Sequence, residues 1–84
     1  MQKSVEDTLR EMMVARLFLS LKPDELDLDA NLMETYGVDS VQVSELVVGT
    51  EAAFGISFED DDFDPTRFDT LRHIAELVRS KLEK

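Results

Sequence analysis

An all-α fold is what this 84-residue chain predicts: a small bundle of three main helices plus one short helix, with a long loop between helices one and two. Three observations lead there. Apolar residues recur at helical spacing in three separate windows. The stretches between those windows carry the proline, glycine and aspartate expected of loops. A chain this short buries a modest core, which helices with short connections suit best. The 43% of hydrophobic residues is enough to build that core and too many for a disordered tail. One domain, residues 1–84, is the natural count.

The first helix spans Ser4 to about Ser20, with Val5, Leu9, Met12, Met13, Leu17 and Phe18 forming its buried face. Ser4 followed by Asp7 resembles a capping box with Asp in place of the usual Glu. Residues 21–39 read as the long loop. Pro23 discourages continuation of the helix, Leu26, Leu28 and Leu32 in "LDLDANL" pin the loop to the core, and Gly37 takes a left-handed turn at little cost.

The second helix runs from about Ser40 to Ala53, capped by Asp39 or Ser40. Val43, Leu46, Val47, Thr50 and Phe54 fall at i, i+3, i+4, i+7 and i+11 and make its core stripe. Val41, Glu45, Val48 and Ala52 then face outward, with Glu51 at the border. Gly49 weakens this helix by ~1 kcal/mol relative to alanine, a cost that a close contact between helices would explain. In "FGISFEDDDFDPTRFD", Gly55 ends the helix and Ile56, Phe58, Phe63 and Phe68 are spaced to tuck inward. The alternation of "FGISF" suits a strand but offers no partner for one. Asp64 and Pro65 look like the start of the short helix. The last helix begins at Asp69 or Thr70, buries Leu71, Ile74, Ala75, Val78 and Leu82, and sets Arg79, Lys81 and Lys84 near its C-terminal end, where the helix dipole favours them.

Charge and composition narrow the function. Nine basic against nineteen acidic residues give a net charge of −10. Such a polyanion is repelled by nucleic acid and anionic membranes and steers toward proteins with basic patches. The chain has no cysteine, so disulfides, thiolate metal sites and cysteine nucleophiles are excluded, and any thiol chemistry needs an imported thiol. No segment reads as a signal peptide or a membrane span, which gives a cytoplasmic expectation.

Ser40 stands at the end of a glycine-containing loop where a helix begins. Its plainest role is a helix cap. Self-contained serine catalysis is disfavoured: the single histidine, His73, sits in the middle of the last helix and would need an orienting partner. The acidic run invites a calcium-loop reading that fails on geometry. Counted from Asp60, position six is Pro65, where glycine is needed, and position twelve is Leu71, where a bidentate glutamate is needed. A solvated acidic loop is the favoured reading, with loose divalent binding at Asp60, Asp61, Asp62 and Asp64, and no specific metal site, as the alternative. On the second helix, Val41 and Val48 beside Glu45 and Glu51 form a small apolar patch with an acidic rim, suited to transient docking of a basic partner.

"YGVDSV", residues 36–41, followed by "SELV", residues 44–47, resembles the Leu-Gly-x-Asp-Ser-Leu signature of the acyl carrier protein family. The upstream "DANL" and downstream "FDTLRHIAELV" fit as well, so the resemblance covers roughly Val5 to Leu82. It implies an acyl-carrier-like bundle that is not an enzyme. It implies that Ser40 carries 4′-phosphopantetheine, transferred from coenzyme A by a phosphopantetheinyl transferase, with Gly37 and Asp39 shaping the attachment loop. Acyl groups would ride as thioesters to acyl-transferring and condensing enzymes with basic docking patches, and the carrier would act as a monomer. Val41 and Tyr36 replace the family's leucines, and Gln42 and Ala52 interrupt its acidic series. These departures point toward a specialised carrier for a dedicated lipid or polyketide pathway rather than a housekeeping fatty-acid carrier. Peptidyl and D-alanyl carriers share the Asp-Ser pair, but the acidity favours the acyl type. The competing reading is an unmodified acidic helical interaction module, calcium-responsive, with Ser40 only a helix cap.

Overall fold

Four α-helices make up the described part of the computed structural model, which covers residues 4–62 and 67–83. They are α1 (Val5–Leu17), α2 (Leu32–Tyr36), α3 (Ser40–Phe54) and α4 (Leu71–Leu82), with single 3-10 turns at Pro23–Glu25 and Asp60–Asp62. No strand occurs among the described residues, so "FGISF" connects helices instead of pairing. Phe63 as an anchor and Asp64–Pro65 as a helix start lie outside the described residues.

Each helix start follows from a polar cap. Ser4 Oγ accepts the Asp7 amide at 3.1 Å, Asn31 Oδ1 the Glu34 amide at 2.9 Å, and Thr70 Oγ1 the His73 amide at 3.1 Å. Helices α2 and α3 end in left-handed turns, at Gly37 (φ 67°) and Gly55 (φ 65°), where glycine makes them cheap. Helix α1 ends three residues earlier than its periodicity suggests, because Phe18 also adopts the left-handed region (φ 53°) and its amide turns back to the Val14 carbonyl. That turn swings Phe18 off the buried face assigned to it from spacing; it is 92% exposed. Leu82 likewise leaves its stripe for solvent on the final turn of α4.

The core gathers Leu9 and Met13 of α1, Leu46 and Val47 of α3, and Leu71, Ile74, Ala75 and Val78 of α4. Leu77, outside the stripe read from spacing, is buried with them. Phe58 and Phe68 close one side edge-to-face, with ring centroids 5.6 Å apart at 84°. Thr50, the buried polar residue, donates its hydroxyl to the Leu46 carbonyl at 2.6 Å. Helices α1 and α3 run antiparallel: Met12 lies against Gly49, and Arg16 reaches Glu45 at 3.5 Å.

The long loop is more structured than its sequence suggests. It holds the five-residue α2, too short for periodicity to reveal, framed by the Asn31 cap and Gly37. Leu26 and Leu32 are buried as anchors and Leu28 is half-buried. Backbone bonds pin the loop to the start of α4: the Leu32 amide donates to Asp69 O (2.8 Å) and the Arg72 amide to Leu28 O (3.0 Å). Arg72 adds a two-pronged pair with Asp29, Arg10 Nε donates to the Leu26 carbonyl (3.1 Å), and the Asp27 amide donates to Tyr36 Oη (2.8 Å). A braced loop gives α3 a fixed starting point.

Candidate functional site

The start of α3 is built by Asp39. Its carboxylate Oδ1 accepts the Gln42 amide at 2.8 Å, and Gln42 Oε1 accepts the Asp39 amide at 3.1 Å, a closed capping box. The cap therefore belongs to Asp39, and Ser40 is the first helical residue. This corrects the reading of Ser40 as a cap. Ser40 is exposed, and none of the hydrogen bonds among the described residues uses its Oγ. Its carbonyl accepts the Ser44 hydroxyl at 3.3 Å, a bond along the helix that leaves Oγ free.

A primary hydroxyl held this way suits one kind of chemistry. The backbone around it is fixed by the capping box and by Gly37, while the hydroxyl points into solvent. The first amides of α3 lack intrahelical partners and lie at the positive end of the helix dipole. They favour an anion bonded to Ser40 Oγ, such as a phosphodiester. Self-contained nucleophilic catalysis needs a base within hydrogen-bond reach of the hydroxyl. His73 is instead engaged by a residue just before its own helix, with Nδ1 2.5 Å from Asp69 Oδ1.

The face of α3 beyond Ser40 carries the expected apolar residues. Val41 is 71% exposed and Val48 is also exposed. Glu45 is exposed beside them and pairs with Arg16. Glu51 serves the fold instead. It is half-buried, and its Oε2 accepts the Phe58 amide at 2.8 Å and clamps the following loop to α3. Spacing alone put Glu51 at the border of the docking face, and only the loop's return path shows what it holds.

Within the acidic run, Asp62 turns inward while Asp61 stays exposed. Asp62 Oδ2 accepts the Glu59 amide and pairs with Lys81 at 2.7 Å, on largely covered side chains. The Glu59 amide first, and Lys81 second, hold the Asp62 carboxyl below the usual aspartate range. Among the described residues, no group of three or more His, Asp or Glu side chains is placed to hold a metal ion. The side chain of Asp60 and all of Asp64 fall outside what is described. No described helix is long and apolar enough to cross a membrane.

Comparison with known proteins agrees with this geometry. A family model described as a phosphopantetheine attachment site matches residues 7–79. Acyl carrier protein 2 of Pseudomonas aeruginosa is 32% identical over 74 residues, which covers 88% of this chain and 89% of that protein. The acyl carrier protein of Campylobacter hominis is 32% identical over 79 residues, covering 92% and 98% respectively. That of Sulfurovum is 40% identical over 55 residues, 66% of this chain and 71% of that protein.

Proposed function

The chain belongs to the acyl carrier protein family, whose members are carriers bearing covalent 4′-phosphopantetheine and not enzymes, and we propose that Ser40 is its attachment residue. The observation that carries this reading is the division of labour at the start of α3. Asp39 makes the cap, so the adjacent hydroxyl is exposed and unbonded on a rigid backbone. Bound there, the group would supply a thiol, which a chain without cysteine lacks, and acyl cargo would ride on it as a thioester.

In the active site of a phosphopantetheinyl transferase, Ser40 Oγ attacks the pyrophosphate of coenzyme A. The Oγ–P bond forms, the phosphoanhydride bond breaks, the adenosine bisphosphate leaves, and the hydroxyl proton passes to a base of the transferase. The chain's own contribution is position. Asp39 and Gly37 fix the backbone, and the α3 amides sit beside the new phosphodiester.

Val41, Glu45 and Val48 form the docking face for acyl-transferring and condensing enzymes with basic patches, with Glu51 contributing charge at its edge. Association is fast and weak, steered by the net charge of −10. Residues 1–84 act as a single, monomeric, cytoplasmic carrier domain. The substitutions at Tyr36, Val41, Gln42 and Ala52 support a dedicated lipid or polyketide pathway over general fatty-acid synthesis.

Incubation with coenzyme A and a transferase, read by intact mass, tests the assignment. The wild type gains one phosphopantetheine and Ser40→Ala gains none. An arm that still attaches to Ser40→Ala, or a wild type that stays unmodified with several transferases, removes Ser40 from this role.

A further inference from the structure

Phe18 is the most exposed large apolar side chain among the described residues. It is 92% exposed. It also sits at φ 53°, in the left-handed region that a helix end ordinarily gives to glycine. A phenylalanine there carries steric strain from its Cβ and an uncovered ring, two costs with no packing in return. Strain held without an internal benefit points outward, to a surface the residue meets.

Its place in the fold says which surface. Arg16 pairs with Glu45 across the antiparallel α1 and α3. From that rung, Phe18 lies about 3 Å further along the axis and Ser40 about 7.5 Å further in the same direction, at 1.5 Å per residue. The two helices are neighbours, so Phe18 lies at the Ser40 end of the pair, where Val41 is also exposed. Leu82, another exposed large apolar residue, is at the far end, since Arg79 of α4 pairs with Glu6 at the start of α1.

We propose that Phe18 is an aromatic anchor for the phosphopantetheinyl transferase, inserted into an apolar pocket whose rim is basic. The inference rests on the assignment of Ser40 as the attachment residue. Enzymes that use the loaded carrier reach its cargo through a long arm, so their reacting groups need not approach Ser40 even when they dock on α3. The transferase must bring its reacting groups to bond distance of Ser40 Oγ. A footprint of about 800 Å², roughly 16 Å in radius, centred there takes in the end of α1. The basic rim follows from the charge of −10.

The test compares wild type, Phe18→Gly and Phe18→Tyr as substrates of the transferase from the protein's own host, with coenzyme A, alongside thermal melts. Phe18→Gly relieves the backbone and is expected to melt at least about 2 °C higher. Its kcat/KM for loading is expected to fall at least about fivefold, mainly through KM, as loss of a pocket-filling interface aromatic does. Phe18→Tyr keeps the ring and loads within about twofold of wild type by the same reasoning. Stability rising while loading falls is a combination that a structural role does not produce. Equal loading of Phe18→Gly, or a lower melting temperature for it, overturns the anchor and leaves Ser40 standing. A wild type that does not load overturns the Ser40 reading, and the anchor with it.

Discussion

Replacing Gly49 pits two effects of similar size against each other. Gly49 is buried on α3, and a Cβ there would stand 2.7 Å from Met12 Sδ and 3.2 Å from both Met12 Cγ and Arg16 Nε. Ordinary carbon contacts lie at about 3.5–4.0 Å, so Sδ must retreat by roughly 1 Å. Met12 is half-buried and unbranched, and moving it off its preferred rotamer costs about 0.5–1.5 kcal/mol. Alanine returns about 1 kcal/mol of helix propensity. Gly49→Ala alone should therefore change stability by less than about 1 kcal/mol. Met12→Ala removes Sδ and Cγ, and leaves only Arg16 Nε, on a long flexible side chain, to give by a few tenths of an ångström. In that background Gly49→Ala should stabilise by the full ~1 kcal/mol, about 4–8 °C in a domain of this size. Gly49→Leu overfills the same contact and should destabilise by about 1–3 kcal/mol. Urea and thermal unfolding of the four proteins of the cycle gives the coupling, expected near 1 kcal/mol. Gly49→Ala stabilising the wild type fully, with the two changes additive within about 0.5 kcal/mol, would refute the close approach of α1 and α3.

Asp39→Ala should lower stability by about 1 kcal/mol through loss of the cap on the Gln42 amide, while Asp39→Ser retains most of it; thermal melts decide. Glu6 pairs with Arg79 through two bonds of 2.5 and 2.7 Å that hold its carboxyl below its ordinary value of 4.5. A lowered folded value stabilises above the unfolded one and is lost as pH falls through the folded one. The melting-temperature gap between wild type and Glu6→Gln should therefore be whole above that ordinary value and close as pH falls through the lowered folded one. Glu45→Lys reverses a charge near Ser40 and sets a second cation beside Arg16. It should slow transferase loading severalfold at about 0.01 M salt, where the Debye length is about 30 Å, and much less at 1 M, where it is about 3 Å. An equal rate at both salts removes Glu45 from the docking face.

Legibility from sequence divided along the line between local and returning structure. The stripes Leu46–Val47–Thr50 and Leu71–Ile74–Ala75–Val78 were legible because burial of a helix face is a periodic signal within the segment itself. Asp39 as a cap was legible as one of two candidates, and the choice needed the Gln42 partner. Three features were hidden. Helix α2 is too short for a period, Glu51 takes its partner from a loop seven residues on, and Phe18 leaves its face through a single backbone turn. Gly49 stood out as a cost without a reason, and the reason lies thirty-seven positions away at Met12.

The acids of α3 and its cap show how the structure separates construction from attraction. Asp39 is used by the helix cap, Glu51 by the Phe58 amide and Glu45 partly by Arg16. Each still contributes its negative charge to the field, because a hydrogen bond to an amide leaves the charge in place, and only Arg16 cancels one locally. Steering therefore comes from the sum of −10 more than from any one carboxylate. On the proposed docking face, contact specificity then falls to exposed apolar side chains, Val41 and Val48, and to Phe18 as the proposed anchor. For a carrier that must release each partner, this is the appropriate order. Long-range charge raises the encounter rate, and a few small apolar contacts hold the complex without making it tight. Adding salt should then slow loading of the wild type, whereas losing an apolar contact should raise KM at every salt concentration.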